Sequence, residues 1–120
     1  MRAASDAPAL RCDGWLVHDG TVLASAQIAS THAERRRGLL GRSRFEGVMV
    51  LPVRAVHTMG MRCAIDVAAC AHDGTVLRLA TMPPGRIGRP CWSARRMIEA
   101  PAGSLRSWGV RVGDVLEVRS

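Results

Sequence analysis

The chain has no lysine, no asparagine and no tyrosine, and its aromatic side chains are limited to Phe45, Trp15, Trp92 and Trp108. A hydrophobic core must therefore be built from Val, Leu, Ile, Met and Ala. Without lysine, the net charge of +7 rests on arginine alone, a bias that G- and C-rich codons would also produce. The arginines run from Arg2 to Arg119 and cluster only at Arg35-Arg36-Arg37 and Arg95-Arg96. A basic surface attracts phosphates and anionic membranes, but interleaved aromatics and a recognisable motif are both missing, so a nucleic-acid partner is disfavoured. The four cysteines, Cys12, Cys63, Cys70 and Cys91, form no C-x-x-C pair, which weakens a zinc-ribbon or thioredoxin-type reading. No apolar run is long enough for a membrane span, and Met1 to Ala9 lacks the apolar centre of a secretory signal. The expectation is a cytoplasmic protein in a reducing compartment, its cysteines acting as small hydrophobes.

At 120 residues, 48% of them hydrophobic, the chain can bury one core without staples. We expect a loose tail over residues 1–9 and a single domain over 10–120. Leu10 to Val17 reads as a strand with Trp15 and Val17 on one face. Asp19-Gly20 is a two-residue hairpin turn, returning into Thr21 to Ala29 with Val22, Ala24, Ala26 and Ile28 on one face. Thr31-His32-Ala33-Glu34 has the form of a capping box, starting a helix over about His32 to Leu40 that Gly41 closes. Its apolar stripe is thin, and successive arginines fan around it at about 100° each. Val48 to Val53, broken by Pro52, suggests a strand ending at a sheet edge. Asp73-Gly74 is a second hairpin turn, leading into a strand over residues 75–81. Residues 83–90 are a loop by composition. A strand over residues 95–100, a helical turn ending at Gly109 and a last strand over residues 110–118, bent at Gly113-Asp114, complete the chain. Short strands, Asp-Gly hairpins and one helix predict a mostly β, antiparallel domain: a small sandwich or partly closed barrel with one short helix.

The least ordinary run is His57-Thr58-Met59-Gly60-Met61-Arg62-Cys63-Ala64-Ile65-Asp66-Val67. If extended, it places His57, Met59, Met61, Cys63 and Ile65 on one face and Thr58, Gly60, Arg62, Ala64 and Asp66 on the other. Imidazole, thioether and thiolate suit Cu(I), so His57, Met59, Met61 and Cys63 form a candidate soft-metal set; the competing reading is a half-buried strand with Met and Cys in the core. A cysteine nucleophile would need one of His18, His32, His57 or His72 as its base. Asp66, Glu99 and Asp114 form a possible carboxylate set, with Arg35 or Arg62 beside it. A structural reading fits these better: Asp114 capping a turn, Glu34 capping a helix, and Asp66 ion-paired with Arg35 or Arg62. The loop over residues 83–92 offers Arg86, Arg89 and Trp92 to an anion or sugar.

Thr31-His-Ala-Glu34-Arg35-x-x-Gly38-Leu39-Leu40, the Ile65-Asp66 pair, Glu99-Ala-Pro-Ala-Gly103 and Gly109-Val-x-Val-Gly113-Asp114 occur in order. In these motifs the chain resembles the DUF192 family, small bacterial and archaeal proteins of unknown function, over about residues 22 to 118. The resemblance implies a compact β-rich fold with one short helix and no established activity, cofactor or substrate. Its characteristic positions fall on Glu34, Arg35, Gly38, Asp66, Glu99, Gly103, Gly113 and Asp114. Where many members carry a Trp-Met-Lys-Asn-Thr run, this chain has His57-Thr58-Met59-Gly60-Met61, and a common proline is replaced by Ala64. With no catalytic signature and no cofactor implied, the leading expectation is a non-enzymatic domain that binds a small ligand or a protein through Arg35, His57, Arg62, Asp66, Arg86 and Trp92. The alternatives are a soft-metal protein or hydrolase on the His57 face, and anion or nucleic-acid binding through arginines.

Overall fold

A computed structural model describes residues 9–39 and 41–120, apart from the side chain of Arg36. The expected tail therefore lies, except for Ala9, outside the described residues, as does Leu40 at the expected helix end. Ala9 makes a bridge to Glu46.

Seven strands form one sheet: β1 (Gly14–His18), β2 (Thr21–Ile28), β3 (Val48–Leu51), β4 (Ile65–Cys70), β5 (Val76–Met82), β6 (Arg96–Pro101) and β7 (Leu116–Arg119). Their order is β5-β4-β6-β3-β2-β1-β7. Helix α1 (His32–Leu39) follows β2, and the four-residue α2 (Ser104–Ser107) follows β6. The two ends of the sheet curl toward each other. The Val76 amide donates to the Asp114 carbonyl at 2.8 Å, the Leu116 amide to the Gly74 carbonyl at 2.9 Å, and Thr75 bridges Val115. The result is a mostly β half-barrel with one short helix.

Gly74 permits this closure. It takes φ of +92°, and a Cβ there would lie 2.2 Å from the Leu116 carbonyl oxygen. Only glycine combines that backbone with so close an approach. The Asp19-Gly20 and Asp73-Gly74 turns close the β1–β2 and β4–β5 hairpins as their residue types require.

The sheet is apolar on both faces. Leu16, Val48, Val50, Ala68, Cys70, Val76, Ile98 and Leu116 pack inside the curl with Leu105 and Val110. Met49, Leu51, Ile65, Val67, Ala69 and Met97 pack on the other face with Leu39, Phe45, Val56 and Met61. This explains why β3 and β4 are buried at every position, as strands covered on both faces are.

Several expectations need correction. β3 is not at an edge: it pairs in parallel with β2 and antiparallel with β6, and Pro52 falls just past its end, where no ladder bond is lost. The other strand pairs are antiparallel, as expected, and α1 forms the crossover between the parallel β2 and β3. In β1, which begins at Gly14 rather than Leu10, Trp15 is exposed while Leu16 and Val17 are both buried. An irregularity in pairing between Leu16 and Val17 breaks the alternation there. On β2, Val22 is exposed although Ala26 on the expected inner face is buried. β7 starts only at Leu116, because residues 111–114 form a turn in which the Asp114 amide reaches the Arg111 carbonyl.

The largest correction concerns residues 57–64, which form a loop; β4 begins at Ile65. Gly60 takes φ of +80° and Met61 turns back onto the Thr58 carbonyl at 3.1 Å, so period-2 alternation does not apply. No described helix is long and apolar enough to cross a membrane.

Candidate functional site

Helix α1 starts as its capping chemistry dictates. The Glu34 amide donates to Thr31 Oγ1 at 3.1 Å, and Glu34 Oε1 accepts from the Ser30 amide at 3.3 Å, one residue earlier than a standard capping box. Gly38 lets the helix lie close on the sheet, since a Cβ there would meet Met49 Cε at 2.5 Å. This approach carries Arg35 inward to Glu99 on β6.

Glu99 is fully buried and Arg35 is 5% exposed. Arg35 Nε donates to the two Glu99 oxygens at 2.7 and 3.0 Å, and Nη2 donates to Oε2 at 2.6 Å. Nη2 also reaches the His57 carbonyl at 2.5 Å and Met61 Sδ at 3.6 Å. Burial pushes the Glu99 carboxyl above the ordinary glutamate range, against the pull of the Arg35 hydrogen bonds and charge. Nη1 of Arg35 has no hydrogen-bond partner among the described residues.

Above this pair opens a cavity of about 360 Å³ lined by His32, Arg35, Leu39, His57, Met59, Gly60 and Met61. The His32 and His57 rings are near-parallel, with centroids 6.5 Å apart and planes 18° apart. His57 Nδ1 accepts the Met59 amide at 3.1 Å. In the neutral ring this leaves the proton on Nε2. Met59 is half exposed and Met61 is buried.

The floor of the loop is organised by Thr58, which is fully buried. Its hydroxyl donates to the Pro83 carbonyl at 2.6 Å and accepts the Arg86 amide at 2.9 Å. Amides of Gly88 and Cys91 donate to the carbonyls of Val56 and Arg54 at 2.9 and 2.8 Å. Residues 54–58 and 86–91 thus run side by side, and His57 bridges Ile87.

The expected site residues divide accordingly. Arg35, His57, Met59 and Met61 meet at one cavity, joined by His32, Leu39 and Gly60. Cys63 lies elsewhere, beside Ser43, Arg44 and Phe45. Arg62 is exposed and outside the cavity. Arg86 and Trp92 are exposed on the neighbouring loop; Trp92 is 76% exposed and its carbonyl accepts Arg54 Nε at 3.2 Å.

Asp66 is ion-paired with neither Arg35 nor Arg62. It stands opposite Ala100 in the β4–β6 ladder, whereas Glu99 stands opposite Val67. The two carboxylates therefore face opposite sides of the sheet. Asp66 Oδ1 accepts from Thr81 Oγ1 at 2.8 Å and Oδ2 from the Leu105 amide at 3.1 Å. Asp114 caps the Arg111 amide at 2.8 Å, as its turn position suggests, and lies 3.3 Å from His18 Nε2. The three carboxylates do not converge. Among the described residues, no three His, Cys, Asp or Glu side chains gather as a metal cluster would.

The sequence reading offers His32 only as one of four possible bases for a cysteine, not as a neighbour of Arg35 and His57, and gives Thr58 no site role. The sequence does carry a signal for His32, three positions before Arg35 and so on the same helix face. Nothing local marks Thr58.

What the fold and site define is a β half-barrel with an ion-pair-floored cavity under α1. The chain belongs to the DUF192 family, described as an uncharacterised conserved region, whose model matches residues 15–118. The UPF0127 protein PF1050 of Pyrococcus furiosus is 33% identical over 97 residues, covering 76% of this chain and 84% of that one. Two crystal structures share the fold. One, from Sinorhizobium meliloti 1021 and described as a candidate transcription regulator, has a TM-score of 0.72 at 22% identity, covering 88% of this chain and 91% of that one. The other, a protein of unknown function from Novosphingobium aromaticivorans DSM 12444, has a TM-score of 0.68 at 18% identity and covers 98% of each chain.

Proposed function

We propose that this is a non-enzymatic binding domain whose ligand enters the cavity between α1 and the 57–61 loop. The observation that carries this reading is the Arg35 guanidinium. It lines the cavity, is charge-neutralised by Glu99, and keeps Nη1 unpartnered among the described residues. Such a group offers N–H donors without a net positive charge. It suits a neutral oxygen acceptor, an amide or ketone carbonyl, better than a second carboxylate. Leu39, Met59 and Met61 supply an apolar wall, and thioethers adapt to irregular shapes. Few convergent polar groups within apolar walls are the usual make-up of a small-molecule site. The exposed loop bearing Arg86 and Trp92 stands beside the cavity and would contact the outer part of a larger ligand.

The test is an amide-shift NMR titration with a fragment set of neutral carbonyl compounds and matched carboxylates. The neutral members should shift His32, Met59 and Gly60, and either His32→Ala or Met59→Ala should weaken binding at least fivefold. Failure of every fragment to bind at millimolar concentration, or binding indifferent to both substitutions, would overturn the reading.

A further inference from the structure

The half-barrel does not close along its whole length. Thr75 and Val76 of the β5 side are stitched to residues 113–116, but from Leu79 onward β5 pairs only with β4. The gap is filled by α2 and the turn behind it. The filling leaves a cavity of about 650 Å³, lined by Asp66, Leu79, Ala80, Thr81, Leu105, Arg106, Gly109, Val110 and Arg111. Asp66 braces both walls, holding Thr81 of β5 with one oxygen and the Leu105 amide of α2 with the other. Its position opposite Ala100 in the ladder sets this cavity on the other side of the sheet from Glu99.

Charge in the cavity is unbalanced. Among the described residues Asp66 is the sole acidic one in the lining, and both its oxygens already accept hydrogen bonds. The guanidinium groups of Arg106 and Arg111 have neither an ion pair nor a hydrogen bond among the described residues. Several other arginines are engaged, Arg11 with Asp13, Arg35 with Glu99, Arg119 with Glu117 and Arg78 with the Arg89 carbonyl; what sets Arg106 and Arg111 apart from the remaining arginines is that both line one cavity. Two unpaired guanidiniums beside Leu79, Leu105 and Val110 combine a fork for anionic oxygens with an apolar wall.

We propose that this flank is a second binding site, distinct from the cavity under α1, and that it takes a small molecule carrying a carboxylate or phosphate on an apolar body. A bare inorganic anion would leave the Leu105 and Val110 wall unused. A polyanion would need a row of cations, and among the described residues the cavity presents two.

The test titrates the protein with 2-naphthyl phosphate, 2-naphthoate, 2-naphthol and inorganic phosphate, reading amide shifts. At least one anionic naphthyl compound should bind with shifts centred on Ala80, Leu105, Val110 and Arg111, tenfold or more tightly than naphthol or inorganic phosphate. Which of the two binds better tells phosphate from carboxylate. Arg106→Ala/Arg111→Ala should keep the melting temperature, since both side chains are exposed, and weaken binding at least tenfold. Raising salt from 0.05 to 0.5 M should weaken it as well, because exposed charges are screened. The proposal is overturned if the shifts centre elsewhere, if naphthol or phosphate binds as well as the anionic naphthyl compounds, if the double variant binds as tightly as wild type, or if nothing binds at millimolar concentration. The outcome is independent of the α1 cavity, whose probes and residues are different.

Discussion

Arg35 on α1 and Glu99 on β6, 64 residues apart in the chain, form a pair in which Nε and Nη2 together reach both carboxylate oxygens. Taking both charges out of water is costly, and the charge-assisted hydrogen bonds offset that cost only while both partners are present. Arg35→Ala should therefore destabilise the protein by about 3–5 kcal/mol, because a buried carboxylate is left alone. Arg35→Met combined with Glu99→Met should recover much of the loss. Chemical denaturation of the single and double variants checks this; a double variant no more stable than Arg35→Ala would show that the pair does more than balance charge.

The pH dependence of the same carboxyl follows from its burial. Its folded-state pKa lies above the ordinary value, so the folded protein binds this proton more tightly than the unfolded chain. The contribution of Glu99 to stability is then largest at low pH. It declines as pH rises from the ordinary glutamate value through the raised folded one, and stays low above that. Glu117 is shifted the other way by its hydrogen bond to Arg119. A carboxyl-carbon NMR titration should show Glu99 titrating above Glu117; the reverse order would mean that Arg35 outweighs burial.

Thiol reactivity should be graded by position. Cys70 is buried in the core and burial pushes its pKa up to about 11, while Cys12 is exposed. The thiolate is the reactive form. At pH 8 in native buffer, iodoacetamide should label Cys12 readily and leave Cys70 unmodified until denaturant is added, as read by peptide mass spectrometry. Cys63, half-buried and also shifted upward, should label at an intermediate rate.

Gly74 and Gly20 separate backbone strain from steric clash. Both take positive φ, but a Cβ at Gly20 meets nothing within 4 Å, whereas at Gly74 it meets the Leu116 carbonyl at 2.2 Å. Gly20→Ala should cost about 1–2 kcal/mol, the ordinary penalty of a left-handed residue. Gly74→Ala should cost clearly more and loosen the β5–β7 seam, seen as faster amide exchange at Val76 and Leu116. Equal costs would mean that the seam yields without penalty.

Much of the local structure was legible from residue types. Asp19-Gly20 and Asp73-Gly74 mark hairpins because few residue pairs tolerate those turns. Thr31 and Glu34 mark the start of α1 because their side chains satisfy the amides that a helix leaves open. Asp114 caps its turn for the same reason. The reading failed where a local pattern had two physical solutions. The run from His57 to Ala64 alternates like a strand, yet Gly60 and the buried Thr58 hydroxyl turn it into a loop held to residues 83–88. Likewise Pro52 was compatible with an edge strand or with the end of a central one, and strand order decided between them.

The sequence by itself determined the turns, the helix cap, the mostly β character and the family, since these depend on residues close together in the chain or on motifs in fixed order. Only the tertiary structure decided that Glu99 rather than Asp66 is the partner of Arg35. That choice depends on which face of the sheet each carboxylate occupies, and so on the β4–β6 register and the close seat of α1 over Met49. It also decided that His32 and Met59 share a cavity from which Cys63 is excluded. No local interaction encodes these pairings; they exist because distant strands bury their apolar faces together and bring the polar groups with them.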